Sequence, residues 1–318
     1  GTDSEFFLPE NASYDYTDDS GNAQTTTAAE DSEYGYLWAN DILMRDAIKG
    51  VIDEKWRARP LNYEFLTWIQ GPFEDYGNAM GFMSEFRAQQ DLLSIPGQTG
   101  GRNIMWDQSA GRTFLDVIKN GYQAAVDFCQ ANASGKDWLV GPRYPYKLRD
   151  RTHHSSYAAW IYGEITGQSM AYVQAHGTWA PLWTTDVQFS GAQCAFSINS
   201  PDQCVGSILE DTAIQSRANY GFTLWDVDTD TAIPVTAAID AVQNQVVLTA
   251  SSTLSGNIEA GYAARGTVNP DGTVATPQWS ATTGSIKMIG RDAPAHIPAH
   301  VMPTLDHHLC AHKKTYSV

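Results

Sequence analysis

From residue 62 to residue 168 the chain alternates short apolar runs with amphipathic stretches, and this alternation limits the possible fold more than any other feature. "NYEFLTWIQG", "RNIMWDQ" and "DWLVGP" are short and apolar, as buried strands are. "NAMGFMSEFRAQQDLL", "TFLDVIKNGYQAAVDFCQANA" and residues 155–168 read as helices. Upstream, Leu37, Ile42, Leu43, Ala47, Ile48, Val51 and Ile52 recur at helical spacing. Strands alternating with helices predict an α/β domain over residues 1–180, a three-layer α/β/α unit with a parallel sheet. A sheet of that kind needs a buried, Val/Ile/Leu-rich central strand. Residues 1–33 are polar and acidic, have no period, and read as loop.

Near residue 180 the pattern changes. "TDVQFSG", "YGFTLWDVD", "QVVLTASS" and "IEAGYAARG" are short β-rich runs separated by Gly, Asn and Asp turns, which predict an all-β sandwich over residues 185–290. Trp179 and Trp183 in "GTWAPLW" fall at the boundary and are expected to pack the two domains together. Residues 291–318 form a C-terminal tail with five His and three Pro.

The formal net charge is −16. Phosphate affinity needs clustered Lys and Arg, so neither nucleic acid nor an anionic membrane is expected as a partner. No apolar run is long enough to span a bilayer. Ten Trp and fifteen Tyr leave two uses for the aromatics, a core or a sugar-facing surface. Cys129, Cys194, Cys204 and Cys310 include no CxxC pair; Cys194 and Cys204 flank a turn-like stretch and are either bonded or free buried thiols. The run His296, His300, His307, His308 and His312 raises the question of a metal. Prolines interrupt it and no further ligand group stands beside it, so no metal and no cofactor are expected.

In open α/β sheets the reactive groups lie on loops at the carboxyl ends of the strands. Three such loops follow the predicted strands: one at Gln70 and Gly71, one around Gln108, and "VGPRYPYKLRDRTHHS", which carries Asp150 and His153. A His titrates near neutrality and suits general base work, and an Asp one turn away can accept its ring N–H and fix the tautomer. Gln70 offers a side-chain N–H at a strand end, suited to an oxyanion. The bland reading is that Asp150 caps the next helix, with Ser155 as another cap candidate.

"WIQGPFEDYGNAMGFMSEFRAQ" resembles the W-x-Q-G block of SGNH hydrolases of the sialate O-acetylesterase type, and "GPRYPYKLRDRTHHSSYAAWIYGE" resembles their last block, D-x-x-H followed by a helix ending in Gly-Glu. The likeness is greatest to phage or prophage tail-spike carbohydrate esterases, whose β domain "YGFTLWDVD", "VVLTASS", "GYAARG" and "HLCAHKK" also resemble. The resemblance implies a serine esterase that removes acetyl groups from a surface polysaccharide. Asp150 and His153 would be the acid and base of a Ser-His-Asp triad, and Gln70 would stand in the oxyanion hole. It further implies a symmetric oligomer, such as a homotrimer, outside the cell or on a virion tail. Two departures stand out. Pro72 and Phe73 separate Gly71 from the acid Glu74, and the strand that ends in the family's nucleophile has no counterpart before residue 34. Either Ser4 in "GTDS" is the nucleophile, with Ser20 in "DDSGN" a poorer match, or Gly1 belongs to the Gly-rich oxyanion loop and the nucleophile lies on an upstream fragment of the same protein. The second is favoured, because a doubly wound sheet needs its central strand. The rival class is a non-catalytic carbohydrate-binding tail or surface protein on the same fold.

Overall fold

The computed structural model describes residues 12–27, 65–68, 75–92, 101–108, 120–146, 155–214, 217–265 and 284–318. Three strands, β3 (Phe65–Trp68), β4 (Asn103–Gln108) and β5 (Asp137–Pro142), form a parallel sheet in the order β3-β4-β5. They are the three runs read as buried strands. In β4, Ile104 and Trp106 join a core cluster with Phe82, Phe86 and Val126 from α1 (Tyr76–Leu92) and α2 (Gly121–Ala131). Met105, between them, joins Ile161, Ile165 and Val173 of α3 (Ser156–His176). In β5, Leu139 faces the first cluster and Trp138 and Val140 the second. Period-two alternation therefore sends apolar side chains to both faces of the sheet, and helices cover both.

On α1, Ala79, Phe82, Met83, Phe86, Arg87 and Gln90 are buried, one helical face. α3 runs to His176, past the expected end at residue 168. Gly163 and Gly167 lie inside it, since an interior glycine costs only about 1 kcal/mol. It stops at Gly177, whose φ of 68° is the left-handed conformation glycine takes readily and whose N–H bonds back to Val173 O.

The reading of residues 1–33 as loop is overturned for its described part. β1 (Ser13–Thr17) and β2 (Ala23–Thr27) pair antiparallel as a separate two-stranded sheet. "SYDYT" and "AQTTT" carry the β-favouring Tyr and Thr, and Tyr14 is buried in the cluster on α1. Gly77 and Gly81 of α1 admit the hairpin: a Cβ on Gly77 would lie 1.9 Å from the Thr17 carbonyl oxygen. The pattern was missed because one buried tyrosine replaces the usual aliphatic run.

The remainder is antiparallel. β6 (Thr184–Ser190), β7 (Gln193–Ile198), β11 (Val235–Asp240) and β12 (Gln245–Ala250) form one sheet, ordered β11-β12-β7-β6. β9 (Phe222–Asp226), β10 (Thr231–Ile233), β13 (Asn257–Tyr262) and β16 (His312–Ser317) form a second, ordered β10-β9-β13-β16. β8 (Cys204–Glu210), β14 (Ile286–Gly290) and β15 (His307–His308) form a third. Phe196 and Leu248 of the first, Phe222 and Ile258 of the second and Ile208 and Met288 of the third share one core. Cys129, Cys194, Cys204 and Cys310 are buried free thiols.

Residues 307–317, expected in the tail, supply β15 and β16 and grip the parallel-sheet unit between them. Cys310 enters the α1/α2 core cluster, Lys313 N–H donates to Gln123 Oε1 at 2.8 Å, and Tyr144 Oη donates to Leu309 O at 2.7 Å. Trp179 is buried, donates to Leu139 O at 2.9 Å and has its ring 5.6 Å from that of His307. Trp183 packs on the α1/α2 cluster.

Candidate active site

Because β3, β4 and β5 are parallel, their carboxyl ends share one edge of the sheet. Gln70 follows β3 by two residues, and the D-x-x-H stretch lies between β5 and α3. Gln70, Asp150, His153, Ser4 and Gly1 themselves lie outside the described residues. The side chains around these segments define the edge.

At the end of β4, Gln108 is fully buried. Its Oε1 accepts from Ala311 N–H at 2.7 Å, and its Nε2 donates to Ala311 O at 2.9 Å and Tyr122 O at 3.2 Å. The loop position expected to carry chemistry is therefore occupied by a structural stitch. One residue earlier, Asp107 pairs with Arg143 at 3.1 Å, and Arg143 lies over the Tyr162 ring at 5.5 Å. β5 reaches Arg143 through Gly141, whose φ of 148° and neighbouring register shift mark an irregularity that favours glycine. Tyr146, next along, packs edge-on against Tyr162 at 5.9 Å and against the His308 ring at 6.3 Å. Burial pushes the hydroxyls of Tyr144, Tyr146 and Tyr162 well up, so they stay neutral donors at any working pH.

α3 begins with Ser155 as its cap. Ser155 has extended backbone and its Oγ accepts from Ala158 N–H at 3.2 Å. The capping role weighed for Asp150 thus has another occupant. Glu164, of the "YGE" phrase, lies mid-helix and accepts from the backbone N–H groups of Ala295 and His296 at 2.9 and 3.0 Å.

A second His–carboxylate contact went unnoticed in the sequence. His308 Nε2 is 2.9 Å from Asp211 Oδ2, and its Nδ1 is buried without a hydrogen bond. The His308 hydrogen bond, with help from Lys287, holds the Asp211 carboxyl well below the usual range. The two residues are 97 positions apart, so no local motif signals them. Asp137 is a perturbed carboxyl of another kind: burial raises it, while Trp106 Nε1–H and Ser134 Oγ–H bond it at 2.9 and 2.6 Å. It opens β5, at the opposite edge from the candidate site, and reads as a core anchor.

The C-terminal histidines are dispersed among these roles. His296 Nδ1 lies 3.0 Å from Glu164, and His307 and His312 are buried and held neutral by burial, near 4 and 3. Among the described residues no group of three His, Cys, Asp or Glu side chains is arranged to hold a metal ion. No described helix is long and apolar enough to cross a membrane.

Comparison with protein-family models and with curated proteins finds no match. Among solved structures the chain is similar to a carbohydrate acetylesterase from Xanthomonas citri, at 11% identity and a TM-score of 0.49, over 92% of this chain and 68% of that one. It is also similar to the N-terminal part of the bacterial S-layer protein SbsC, at 7% identity and a TM-score of 0.21, over 49% of this chain and 50% of that one. At such identities and TM-scores neither likeness decides the fold or the function of this chain.

Proposed function

We propose that this chain is a carbohydrate O-acetylesterase of SGNH type with an appended β-sandwich, acting on an acetylated surface polysaccharide. One observation carries the reading beyond the motifs. β3 and β5 are parallel in one sheet, so the W-x-Q-G and D-x-x-H segments leave by the same edge, where such sheets hold their reactive groups. Ser155 supplies the side-chain cap of α3, so the helix start does not call for a capping role at Asp150.

In this mechanism a serine attacks the acetyl carbonyl while His153 takes its proton. Asp150 fixes the His153 tautomer and stabilises the imidazolium. Gln70 and backbone N–H groups, Gly1 among them, hold the tetrahedral oxyanion. His153 then protonates the departing sugar hydroxyl, and water releases acetate. The nucleophile is a serine to be located by labelling, with Ser4 as the candidate within this chain. No metal or cofactor takes part in this scheme.

The test is acetate release from p-nitrophenyl acetate and from an acetylated polysaccharide, with fluorophosphonate labelling to find the nucleophile. His153→Ala should lower kcat by about 10⁶ and Asp150→Asn by about 10⁴, each with unchanged circular dichroism. Label on Ser4 would reassign the nucleophile to this chain. Wild-type turnover that survives both substitutions would sink the triad, and a wild-type protein without turnover or label would leave the non-catalytic carbohydrate-binding reading.

A further inference from the structure

The geometry points to a glycan-binding groove on the outer face of α3, built to hold a neutral polysaccharide. The assignment of the ligand as substrate rests on the esterase reading; the groove itself does not.

A cleft of about 490 Å³ lies between α3 and residues 292–296, within the range of small-ligand sites. Trp160, Gly163, Gly167 and Ala171 line it along one stripe of the helix, roughly 16 Å long at 1.5 Å per residue. Its opposite wall is fixed. The buried Glu164 carboxylate accepts from the Ala295 and His296 N–H groups and meets His296 Nδ1.

Among the described residues nothing packs against the two glycines. Neither has a positive φ, and a Cβ on either would meet no atom within 4 Å. Alanine would favour the helix at each position. What glycine supplies here is a flat, open floor.

The aromatic residues identify the occupant. Trp160 and Tyr157 are 45% and 48% exposed and stand edge-to-face at 6.3 Å. An exposed indole face offers apolar area to the C–H face of a sugar ring while leaving its hydroxyls to be bonded. Acceptors are at hand: Asp292 lines the cleft, and Gln168 Oε1, also in its wall, is buried without a hydrogen bond. Acceptors suit a ligand rich in O–H donors. A carboxylate in the wall and a net charge of −16 disfavour an anionic polymer.

The test is affinity electrophoresis of the whole chain in gels cast with deacetylated xylan, mannan, β-glucan or galactan, which removes turnover from the readout. The wild type should be retarded by at least one of them, Gly167→Ala should behave alike, and Trp160→Ala and Gly167→Leu should bind at least ten-fold more weakly with unchanged circular dichroism. Retardation by none of the four, or equal retardation of all variants, overturns the groove. So does a wild-type dimer in sedimentation that Gly167→Leu converts to monomer, since the face would then seat a second copy. p-Nitrophenyl acetate hydrolysis by the wild type is scored separately, so that failure of the esterase reading is not mistaken for failure of the groove.

Discussion

Gln108→Leu should cut the main polar stitch between the parallel-sheet unit and the C-terminal segment. Gln108 and Ala311 are both buried, and the two hydrogen bonds between them span 203 residues of sequence. Among the described residues, Ala311 N–H and C=O make no other hydrogen bond than those to Gln108. Leucine would orphan both, at about 1–3 kcal/mol each, or about 2–6 together. The Tyr122 carbonyl lies inside α2, where the helix ladder serves it. Burying a leucine where an amide was offsets about 2 kcal/mol. The net expected loss is about 2 kcal/mol, within a span of about 0–4, and so a sizeable share of the 5–15 typical of a domain. Urea unfolding followed by tryptophan fluorescence should show the midpoint falling at unchanged slope. Gln108→Glu refines the test. Its buried carboxyl can still accept from Ala311 N–H but must be protonated to donate to Ala311 O, so its folded pKa is raised. Its stability should be greatest below the ordinary Glu value of about 4.3 and fall as pH rises from there. A Gln108→Leu midpoint that does not move would refute the stitch.

His307 and His312 are held neutral by burial, near 4 and 3 against an ordinary 6.5; the unfolded chain takes up these protons first, so stability is full above about 6.5 and falls as pH drops towards those values, by about 1.4 kcal/mol per pH unit per group. His307→Phe should flatten the pH dependence of the urea midpoint between pH 6.5 and about 4, and an unchanged slope would count against it. Gly77→Ala should destabilise by about 1–3 kcal/mol, because its Cβ would collide with Thr17 O, whereas Gly163→Ala should stabilise by about 0.5–1; thermal shifts of the same sign would contradict the packing. On the reading proposed above, a homotrimer or other symmetric oligomer is expected, and a monomeric mass in light scattering would count against it.

Much of the fold was legible because period is a local property. "RNIMWDQ" and "DWLVGP" read as buried strands since both faces of a parallel sheet are covered, and Met105 between Ile104 and Trp106 shows both faces in use. The hairpin at Ser13–Thr27 escaped because its burial rests on Tyr14 and on two glycines some sixty residues downstream. The end of α3 was misjudged for a related reason. Glycine reads as a stop, yet only Gly177, with its left-handed φ, acts as one.

The site was legible to the extent that its parts are adjacent in the chain. Asp150 and His153 are three residues apart and can be seen together, whereas Asp211 and His308, or Gln108 and Ala311, meet only when the chain is folded. The structure adds a constraint that no motif carries. The eight residues 147–154 have both of their anchors fixed. On one side Tyr146 is packed against Tyr162 and His308, behind an Asp107–Arg143 pair. On the other, Ser155 caps α3, whose far side is clamped by Glu164 to residues 295 and 296. A general base must be held close to its productive geometry, because small misplacements cost orders of magnitude in rate. The buried His308–Asp211 contact fixes the ring on which Tyr146 rests, and with it the described edge from which the proposed site would be built.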